Sequence, residues 1–297
     1  MPAPSIPSRA GAPPLGVSVG LVLLGIASVQ LGAGVAKNLF DEVAPTTIVW
    51  LRLATSSLIL VVLARPRLRG RSREEWWTVL GFGAALGTMN WAIYQSFSRI
   101  PIGVAVTFEF AGPLLLAAAG FRRGRDLAWV ALAGLGVVLL GAEREGLDPV
   151  GVAFALLAGA AWAAYILLSA RTGRLWPGLD GLAVASVVAT LLIAPALATI
   201  GGGELSSTRI LLLGAAVGLL SSVVPYSAEL VALRRLPAAT FGVLMSLEPA
   251  AAALVGLVVV GEDLQPAQWL AIGCVVAASI GATRAAAPGV PAAPAPD

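Results

Sequence analysis

The sequence contains no histidine, a single lysine, Lys37, and a single cysteine, Cys274. Without histidine there is no histidine-based catalytic triad, no HExxH zinc site and no imidazole proton relay. One cysteine leaves no internal disulfide and no cysteine cluster for a metal. No Gly-Lys-Ser/Thr sequence occurs, which excludes a Walker A nucleotide-binding loop. We therefore predict no metal, no cofactor and no enzyme activity of these types.

Charge is also scarce. Only 12% of the 297 residues are charged and 58% are hydrophobic, and the mean hydropathy is +0.89. A soluble domain carries about 25% charged residues. A chain this apolar cannot cover its own surface in water, so we predict that its solvent is a lipid bilayer.

Ten apolar runs have roughly the 17–25 residues that a helix needs to cross a bilayer. The sequence therefore predicts an all-α integral membrane protein with ten transmembrane helices. The predicted spans are residues 15–36, 45–63, 76–96, 102–120, 127–141, 151–168, 181–200, 210–230, 238–260 and 266–282.

The basic residues are distributed unevenly between alternate loops. Fourteen of the 19 lie on one side of the predicted membrane, at both ends of the chain and around residues 65–73, 122–125, 171–174 and 234–235. The positive-inside rule makes that side cytoplasmic and places both termini there. The basic pI of about 9.6 is then a signal of topology, and no nucleic-acid partner is predicted.

The two ends differ in composition from the rest of the chain. Residues 1–14 and 285–297 hold nine of the 20 prolines, among alanine, serine and glycine. Segments of this kind cannot bury enough apolar surface to form a core. We predict that both are disordered tails.

The two halves of the apolar region resemble each other. Residues 103–109 (GVAVTFE) parallel residues 242–248 (GVLMSLE), and the flanking Arg-Ile-Pro of 99–101 parallels the Arg-Leu-Pro of 235–237. Trp129 and Gly141 likewise parallel Trp269 and Gly281, and all offsets fall between 136 and 140 residues. This pattern predicts a duplication, with repeats at 15–141 and 149–284. Because each repeat has five helices, the second is inverted, and such repeats place a binding site near the membrane midplane.

Four ionisable residues lie within the predicted spans: Arg52, Glu109, Glu229 and Glu248. A charge there costs about 2.5–3.5 kcal/mol, so it is rare unless it is paired or faces a cavity. Glu109 and Glu248 occupy equivalent repeat positions and are the main candidates for binding substrate or a proton. Arg52 either pairs with a carboxylate or binds an anionic group. Glu229 lies five residues before Arg234 and can pair near the cytoplasmic end, and a purely structural role is the alternative for each.

Prolines and polar side chains occur at the same depth. Pro113, Pro225 and Pro249 each remove a hydrogen bond to the carbonyl four residues earlier, and a freed carbonyl in a membrane needs another partner. Each proline is therefore a candidate kink, although neighbouring helices can satisfy a kink without any ligand. The other candidates for binding substrate or a proton are Gln30, Asn90, Tyr94, Tyr165 and Tyr226. Each of these alone can equally form a hydrogen bond between helices.

Five stretches of the chain resemble a known family. They are residues 26–40 (IASVQLGAGVAKNLF), 51–54 (LRLA), 108–114 (FEFAGPL), 225–237 (PYSAELVALRRLP) and 241–249 (FGVLMSLEP). They are similar to the drug/metabolite transporter superfamily with paired EamA-type repeats, and within it to the threonine/homoserine exporters of the bacterial inner membrane. The resemblance implies ten helices in inverted repeats, a central cavity and export of small amino acids coupled to protons. It leaves open whether the chain is a homodimer.

The residues leave several functions open. A zwitterionic substrate needs a cationic partner for its carboxylate and an acidic partner for its ammonium group, which Arg52 with Glu109 or Glu248 could supply. The same scaffold could carry a drug, an aromatic amino acid or a nucleotide precursor instead, whereas a polyanion would need more buried positive charge. An intramembrane enzyme and a non-transporting scaffold are the alternatives from other classes. The first lacks most catalytic side chains, and the second does not require equivalent buried glutamates.

Overall fold

The computed structural model describes residues 15–119, 127–142, 147–198, 204–232, 236 and 238–286. Over these residues the chain is helical and contains no β-strand. A 3₁₀ turn at Glu204–Ser206 and two π turns, at Leu219–Val223 and Gly256–Val260, complete the helical structure. The α-helices are α1 (Leu15–Lys37), α2 (Pro45–Ala64), α3 (Arg73–Phe97), α4 (Ile102–Glu109), α5 (Ala111–Ala118), α6 (Leu127–Ala142), α7 (Pro149–Leu175), α8 (Asp180–Leu197), α9 (Thr208–Gly218), α10 (Val224–Ala232), α11 (Ala238–Met245), α12 (Glu248–Val255) and α13 (Pro266–Ala286).

Local sequence signals determine several helix ends. Ser72 begins α3 with a capping box, in which its side chain accepts from the Glu75 backbone N–H and the Glu75 carboxylate accepts from the Ser72 N–H. Asp148 caps α7 by accepting from the Val150 N–H at 2.8 Å. Gly261, with φ of 80°, ends the second π turn in the left-handed conformation that glycine adopts readily.

Three stretches of helix are interrupted next to the predicted kink prolines. Helices α4 and α5 are separated at Phe110, three residues before Pro113. Helices α11 and α12 are separated at residues 246–247, directly before Glu248 and Pro249. The first π turn joins α9 to α10, and Pro225 is the second residue of α10. A proline cannot donate to the carbonyl four residues earlier, so each break lies where the helical ladder loses a bond.

Five described helical segments are long and apolar enough to cross a membrane: Gly16–Lys37, Pro45–Ala64, Pro149–Leu175, Asp180–Leu197 and Val243–Val260. Shorter apolar segments occur at Ile102–Leu116, Leu127–Gly136, Thr208–Val223 and Pro266–Gly281. Large apolar side chains such as Leu63, Leu191 and Val258 are more than half exposed on the outside of the bundle, where lipid would cover them. The chain therefore has the all-α architecture of a membrane protein.

The two halves of the chain pack into each other and do not form separate bodies. Their most extensive contacts pair α3 with α7 and α8, α2 with α8 and α9, α1 with α10, α6 with α13, and α4 with α12. Small residues allow this approach. A Cβ atom added to Gly83 of α3 would lie 2.6 Å from the Cβ of Val188 in α8. One added to Gly218 of α9 would lie 2.9 Å from the Cβ of Thr55 in α2.

Two helices extend beyond the predicted spans. The predicted span 151–168 lies inside α7, which continues to Leu175, and the predicted span 266–282 lies inside α13, which continues to Ala286. Hydropathy falls at Arg171 and Arg174, but arginine is a good helix former and its apolar stem packs well near a membrane interface. Residues 285 and 286, which the sequence assigned to a tail, belong to α13, and residues 1–14 and 287–297 lie outside the described residues.

Candidate functional site

A cavity of about 590 Å³ lies between helices from both halves. Nine of the twelve residues proposed from the sequence line it: Gln30, Arg52, Asn90, Tyr94, Glu109, Pro113, Tyr165, Pro225 and Glu248. Three serines, Ser169, Ser221 and Ser279, also line it. Most of the remaining wall is apolar and includes Met89, Phe97, Phe110, Trp162, Phe241 and Met245. The cavity therefore combines a broad apolar wall with a few buried charges and hydrogen-bonding groups.

Arg52 is held in place by the first π turn. Its Nη2 donates to the Ser221 carbonyl at 3.0 Å, and its Nε lies 3.4 Å from the Ser222 hydroxyl. The Ser221 carbonyl is the one that Pro225 cannot satisfy, since Pro225 has no N–H. The neighbouring Leu220 carbonyl accepts from the hydroxyl of Ser28 at 2.6 Å. Side chains of α1 and α2 thus satisfy the backbone that the proline frees.

Tyr94 provides the second anchor for Arg52. The Arg52 Nη1 donates to the tyrosine hydroxyl at 3.3 Å, and the guanidinium carbon lies 5.6 Å from the ring centre. Tyr94 is fully buried, whereas Arg52 keeps 9% of its surface exposed. The possibility that Arg52 pairs with a carboxylate of the spans is not realised among the described residues, because its bonds go to two hydroxyls and a carbonyl. Its guanidinium therefore forms no ion pair with a described carboxylate, and its positive charge acts on the Glu109 carboxyl, which lines the same cavity.

Glu109 and Glu248 both line the cavity and are about nine-tenths buried. Glu109 is the last residue of α4, and Glu248 is the first residue of α12. Within the part of the chain that the structure describes, the Glu109 carboxylate makes no hydrogen bond or ion pair. Its carbonyl packs closely on α7, since a Cβ atom added to Gly159 would lie 2.5 Å from that oxygen. The break between α4 and α5 is thereby braced against α7.

Gln30, Asn90 and Tyr165 have different surroundings in the cavity wall. The Gln30 side-chain oxygen is buried and has no hydrogen-bond partner in the described structure. The Asn90 side-chain N–H donates to the Leu86 carbonyl of its own helix at 2.9 Å. The ring of Tyr165 packs against Phe82, with centroids 5.2 Å apart. Gln30 is therefore the amide with the most unused hydrogen-bonding capacity at this site.

Three proposed residues remain. The side chains of Glu229 and Tyr226 are outside the described residues, although both positions belong to α10. Pro249 is buried in the first turn of α12 and is not part of the cavity wall. The structure therefore brings together the candidates of α1 to α5 and α7 with Pro225 of α10 and Glu248 of α12.

Sequence reasoning missed the aromatic wall. Trp162 and Phe110 pack edge to face with ring centroids 5.0 Å apart, and both line the cavity. Trp162 shares one face of α7 with Tyr165, Ile166 and Ser169, which also line the cavity. Their spacing of three and four residues is the signal that could have identified this face. Phe110 lies at the break between α4 and α5, and no sequence pattern indicates its direction.

The comparisons with known proteins agree with this architecture. The profile of the EamA-like transporter family matches residues 149–284. The threonine/homoserine exporter RhtA of Escherichia coli K12 is 42% identical over 273 residues, which cover 91% of this chain and 92% of that protein. The chain belongs to the EamA-like transporter family. The RhtA of Salmonella typhimurium LT2 is 41% identical over the same shares of both chains.

Two more distant proteins also resemble this chain. The uncharacterized transporter YwfM of Bacillus subtilis is 27% identical over 202 residues, which cover 66% of this chain and 60% of that protein. A crystal structure that is 20% identical covers 89% of this chain and 96% of its own, with a TM-score of 0.60, and so has the same fold. Family, relatives and apolar helices make this EamA-like protein a bacterial multi-pass membrane transporter and not an enzyme.

Proposed function

We propose that this transporter exports threonine, homoserine or similar small amino acids across the bacterial inner membrane, coupled to protons. The single observation that carries the proposal is the cavity that holds two buried glutamates together with one guanidinium that forms no ion pair among the described residues. The identity to RhtA over nine-tenths of the chain supports the same substrate class.

The charges of the cavity match those of a zwitterion. Arg52 binds the substrate carboxylate, because its guanidinium is oriented by Ser221 and Tyr94 and forms no ion pair with a described carboxylate. Glu248 binds the ammonium group, and Glu109 exchanges the coupling proton. A buried carboxylate is costly to leave charged and unpaired, so Glu109 releases its proton on one side of the membrane and takes one up on the other, which links proton movement to export.

The membrane topology is part of the proposal. The described helices form ten consecutive segments, counting each interrupted helix as one, and these overlap the ten predicted spans. The third segment, α3, packs on the seventh, α8, and the eighth segment, which begins with α9, packs on the second, α2. In two five-helix repeats the third segment corresponds to the eighth and the second to the seventh, so these two contacts are equivalent. The family match at 149–284 has the bounds of the predicted second repeat. These observations support two inverted five-helix repeats with both termini in the cytoplasm.

A second function rests on the size of the cavity. At about 590 Å³ it lies in the range of drug-sized ligand sites, and Trp162, Phe110 and Phe97 give it an aromatic wall. The alternative is therefore export of a larger drug or metabolite by the same fold. A single guanidinium disfavours polyanionic cargo under either function.

Efflux of labelled threonine and homoserine tests the proposal directly. Inverted or loaded vesicles that contain the purified chain are compared with empty vesicles, with and without a protonophore. We expect efflux above the empty vesicles that collapses when the proton gradient is removed. No efflux from correctly inserted protein would reject this cargo and favour the larger substrates, whereas efflux that ignores the protonophore would reject only the proton coupling.

A further inference from the structure

We infer that the ion pair between Lys37 and Glu262 is a latch, which closes the cavity at the end of the bundle where α1 finishes and opens when substrate is released there. Under the proposed topology this end faces away from the cytoplasm. The inference rests on the proposed function and adds to it the contact that must break when the exporter releases its cargo.

Two charged side chains join the halves of the chain at this end. Lys37 is the last residue of α1, and Glu262 follows the second π turn. The Glu262 carboxylate pairs with the Lys37 ammonium group and also accepts from the N–H of Ile102, the first residue of α4, at 2.9 Å. The Lys37 ammonium group donates to the Ile100 carbonyl at 2.8 Å. The two charged side chains are only 19% and 11% exposed, so the pair is part of the packed end of the bundle.

The cavity ends below this pair. Ala33 of α1 and Val106 of α4 line the cavity, whereas Ile102–Ala105, which precede Val106 on α4, are buried and do not line it. A Cβ atom added to Gly103 would lie 2.6 Å from the Cα of Ala253 in α12. The two halves are therefore in direct contact between the cavity and the latch. A substrate can pass this end only if α4 and α12 separate.

The two helices that meet at the latch each carry a cavity glutamate at the opposite end. Helix α4 runs from Ile102, which Glu262 binds, to Glu109, about 10 Å along the helix axis. Helix α12 begins at Glu248 and continues through the second π turn toward Glu262. Each helix is bounded at its glutamate by one of the breaks described above and is therefore a short unit. A change of charge at either glutamate thus acts on a helix whose far end is held by the latch.

The second π turn places the Glu262 carboxylate at this position. The Glu262 N–H donates to the Gly256 carbonyl at 2.9 Å, and a Cβ atom added to Gly256 would overlap the Glu262 carboxylate. Gly261, with its positive φ, turns the chain back over Gly256. Turns of the π type are rare and occur frequently at functional sites. The backbone at the end of α12 is therefore shaped to present this carboxylate to α1 and α4.

The experiment measures whether breaking the ion pair opens the cavity from the face that carries Lys37. In a Cys274→Ser background, Val106→Cys places the only thiol of the chain in the cavity wall. A membrane-impermeant maleimide is added to spheroplasts and, separately, to inside-out vesicles. The face with Lys37 is then tested whichever way the chain is inserted, and no substrate is required.

Two variants break the latch from its two sides. Glu262→Gln removes the negative charge and Lys37→Met removes the positive charge. In both, the thiol should react about tenfold faster from the face with Lys37, as expected for one lost charged contact. Glu42→Gln is the matched control, because it breaks the ion pair with Arg209, which also joins the halves at this end but is not bonded to α4 or α12 in the described structure. It should leave the rate unchanged.

The outcomes separate the latch from the proposed function. Faster labelling in the two latch variants, with the control unchanged, supports the latch. Unchanged rates in both variants, or an equal rise in the control, overturn it while threonine export stands. If the chain exports neither threonine nor homoserine, the proposed cargo fails, whereas the labelling still decides the latch, because that assay contains no substrate. If Glu262→Gln does not insert, Lys37→Met alone decides.

The unsubstituted chain provides a second measurement, because Lys37 is its single lysine. An impermeant amine reagent should modify Lys37 faster during threonine export than in the absence of threonine, and mass spectrometry identifies the modified residue. Equal rates of modification in a chain that exports threonine would overturn the latch.

Discussion

The two halves of the molecule place different residues at matching positions of α2 and α8. In α2 the Ser56 hydroxyl donates to the Arg52 carbonyl at 2.8 Å, and in α8 the Thr190 hydroxyl donates to the Ser186 carbonyl at 2.8 Å. Helix α2 packs on Gly214 and Gly218 of α9, and α8 packs on Gly83 and Gly87 of α3. Both carbonyls accept from a hydroxyl four residues later, and both helices pack on two glycines spaced four residues apart. Ser186 therefore corresponds to Arg52 in its backbone hydrogen bond and in the packing of its helix.

Under the proposed duplication, this difference gives the two repeats an asymmetric site. Arg52 lines the cavity, whereas Ser186 is buried away from it. Each half contributes one buried glutamate, Glu109 or Glu248, so the acidic groups follow the proposed duplication and the basic group does not. A symmetric cavity would bind a zwitterion in two orientations. Under the proposed function, the single guanidinium of Arg52 selects one orientation, with the substrate carboxylate at α2.

The largest expected effect is the loss of that guanidinium. Arg52→Ala should lower threonine transport by about 30-fold or more, since a hydrogen bond to a charged group contributes about 1.5–3 kcal/mol and this residue makes several. Ser186→Ala is the matched control and should retain transport. The double variant Arg52→Ser with Ser186→Arg should not recover, because position 186 does not line the cavity. Recovery in vesicle transport assays would contradict the asymmetry.

Substitution of the two cavity glutamates should have the next largest effects, and the two variants should lose different functions. Glu248 begins α12, where the helix N-terminus favours a negative charge, whereas Glu109 ends α4, where it does not. Glu248→Gln should therefore weaken threonine binding and raise KM by about tenfold, as expected for a lost charged contact. Glu109→Gln should leave binding in place and abolish the response of efflux to a proton gradient.

Equilibrium binding and efflux with and without a pH gradient separate these two losses. Glu109→Asp serves as the conservative variant, since it keeps the carboxyl group and should retain part of the coupling. If both glutamine variants lose the same function, the glutamates have one shared role and the comparison of the halves fails at this position.

The sequence was informative wherever the determining interaction is local. Hydropathy located the helices and Pro113, Pro225 and Pro249 located the breaks, because both effects act within a few residues. The hydrogen-bond partners of Arg52 could not be predicted from the residues near it in the sequence. Its partner carbonyl lies at Ser221, about 170 residues further along the chain, and only the packing of α2 on the π turn brings them together. The cavity face of Trp162 was missed for a different reason, because its local spacing with Tyr165, Ile166 and Ser169 was present in the sequence and was not used.

The contact between Gly159 and the Glu109 carbonyl, which supports the break between α4 and α5, can be tested by substitution. Gly159 of α7 touches the Glu109 carbonyl, so Gly159→Ala should push α4 away and destabilise the protein by about 1–3 kcal/mol, the usual cost of overpacking. Gly173→Ala in the same helix has open space around it and should be neutral or slightly stabilising. Thermal unfolding in detergent measures both. Equal melting temperatures would show that α7 yields at this contact.

A smaller effect is expected from the second anchor of Arg52. Tyr94→Phe keeps the buried ring and removes the hydroxyl that accepts from Nη1. The KM for threonine should rise about threefold with little change in maximal rate, since one bond of 3.3 Å is lost and the Ser221 carbonyl still orients the guanidinium. Ser222→Ala, which removes a longer contact of 3.4 Å, should have less effect. A fall in maximal rate at constant KM would contradict a positioning role for Tyr94.

The smallest effect concerns an exposed ion pair that joins the two halves outside the cavity. Arg209 at the start of α9 binds the Glu42 carboxylate, and this hydrogen bond, followed by the charge of Arg209, lowers the pKa of Glu42 below its ordinary value of 4.5. A carboxyl group with a lowered pKa in the folded state stabilises the fold above the ordinary pKa, and the contribution disappears as the pH falls through the lowered value. The difference in melting temperature between the wild-type chain and Glu42→Gln should therefore be constant near neutral pH and shrink below about pH 4.5. Salt should reduce this difference in melting temperature at neutral pH, because exposed ion pairs are screened. Transport should be unchanged, because neither Glu42 nor Arg209 lines the cavity.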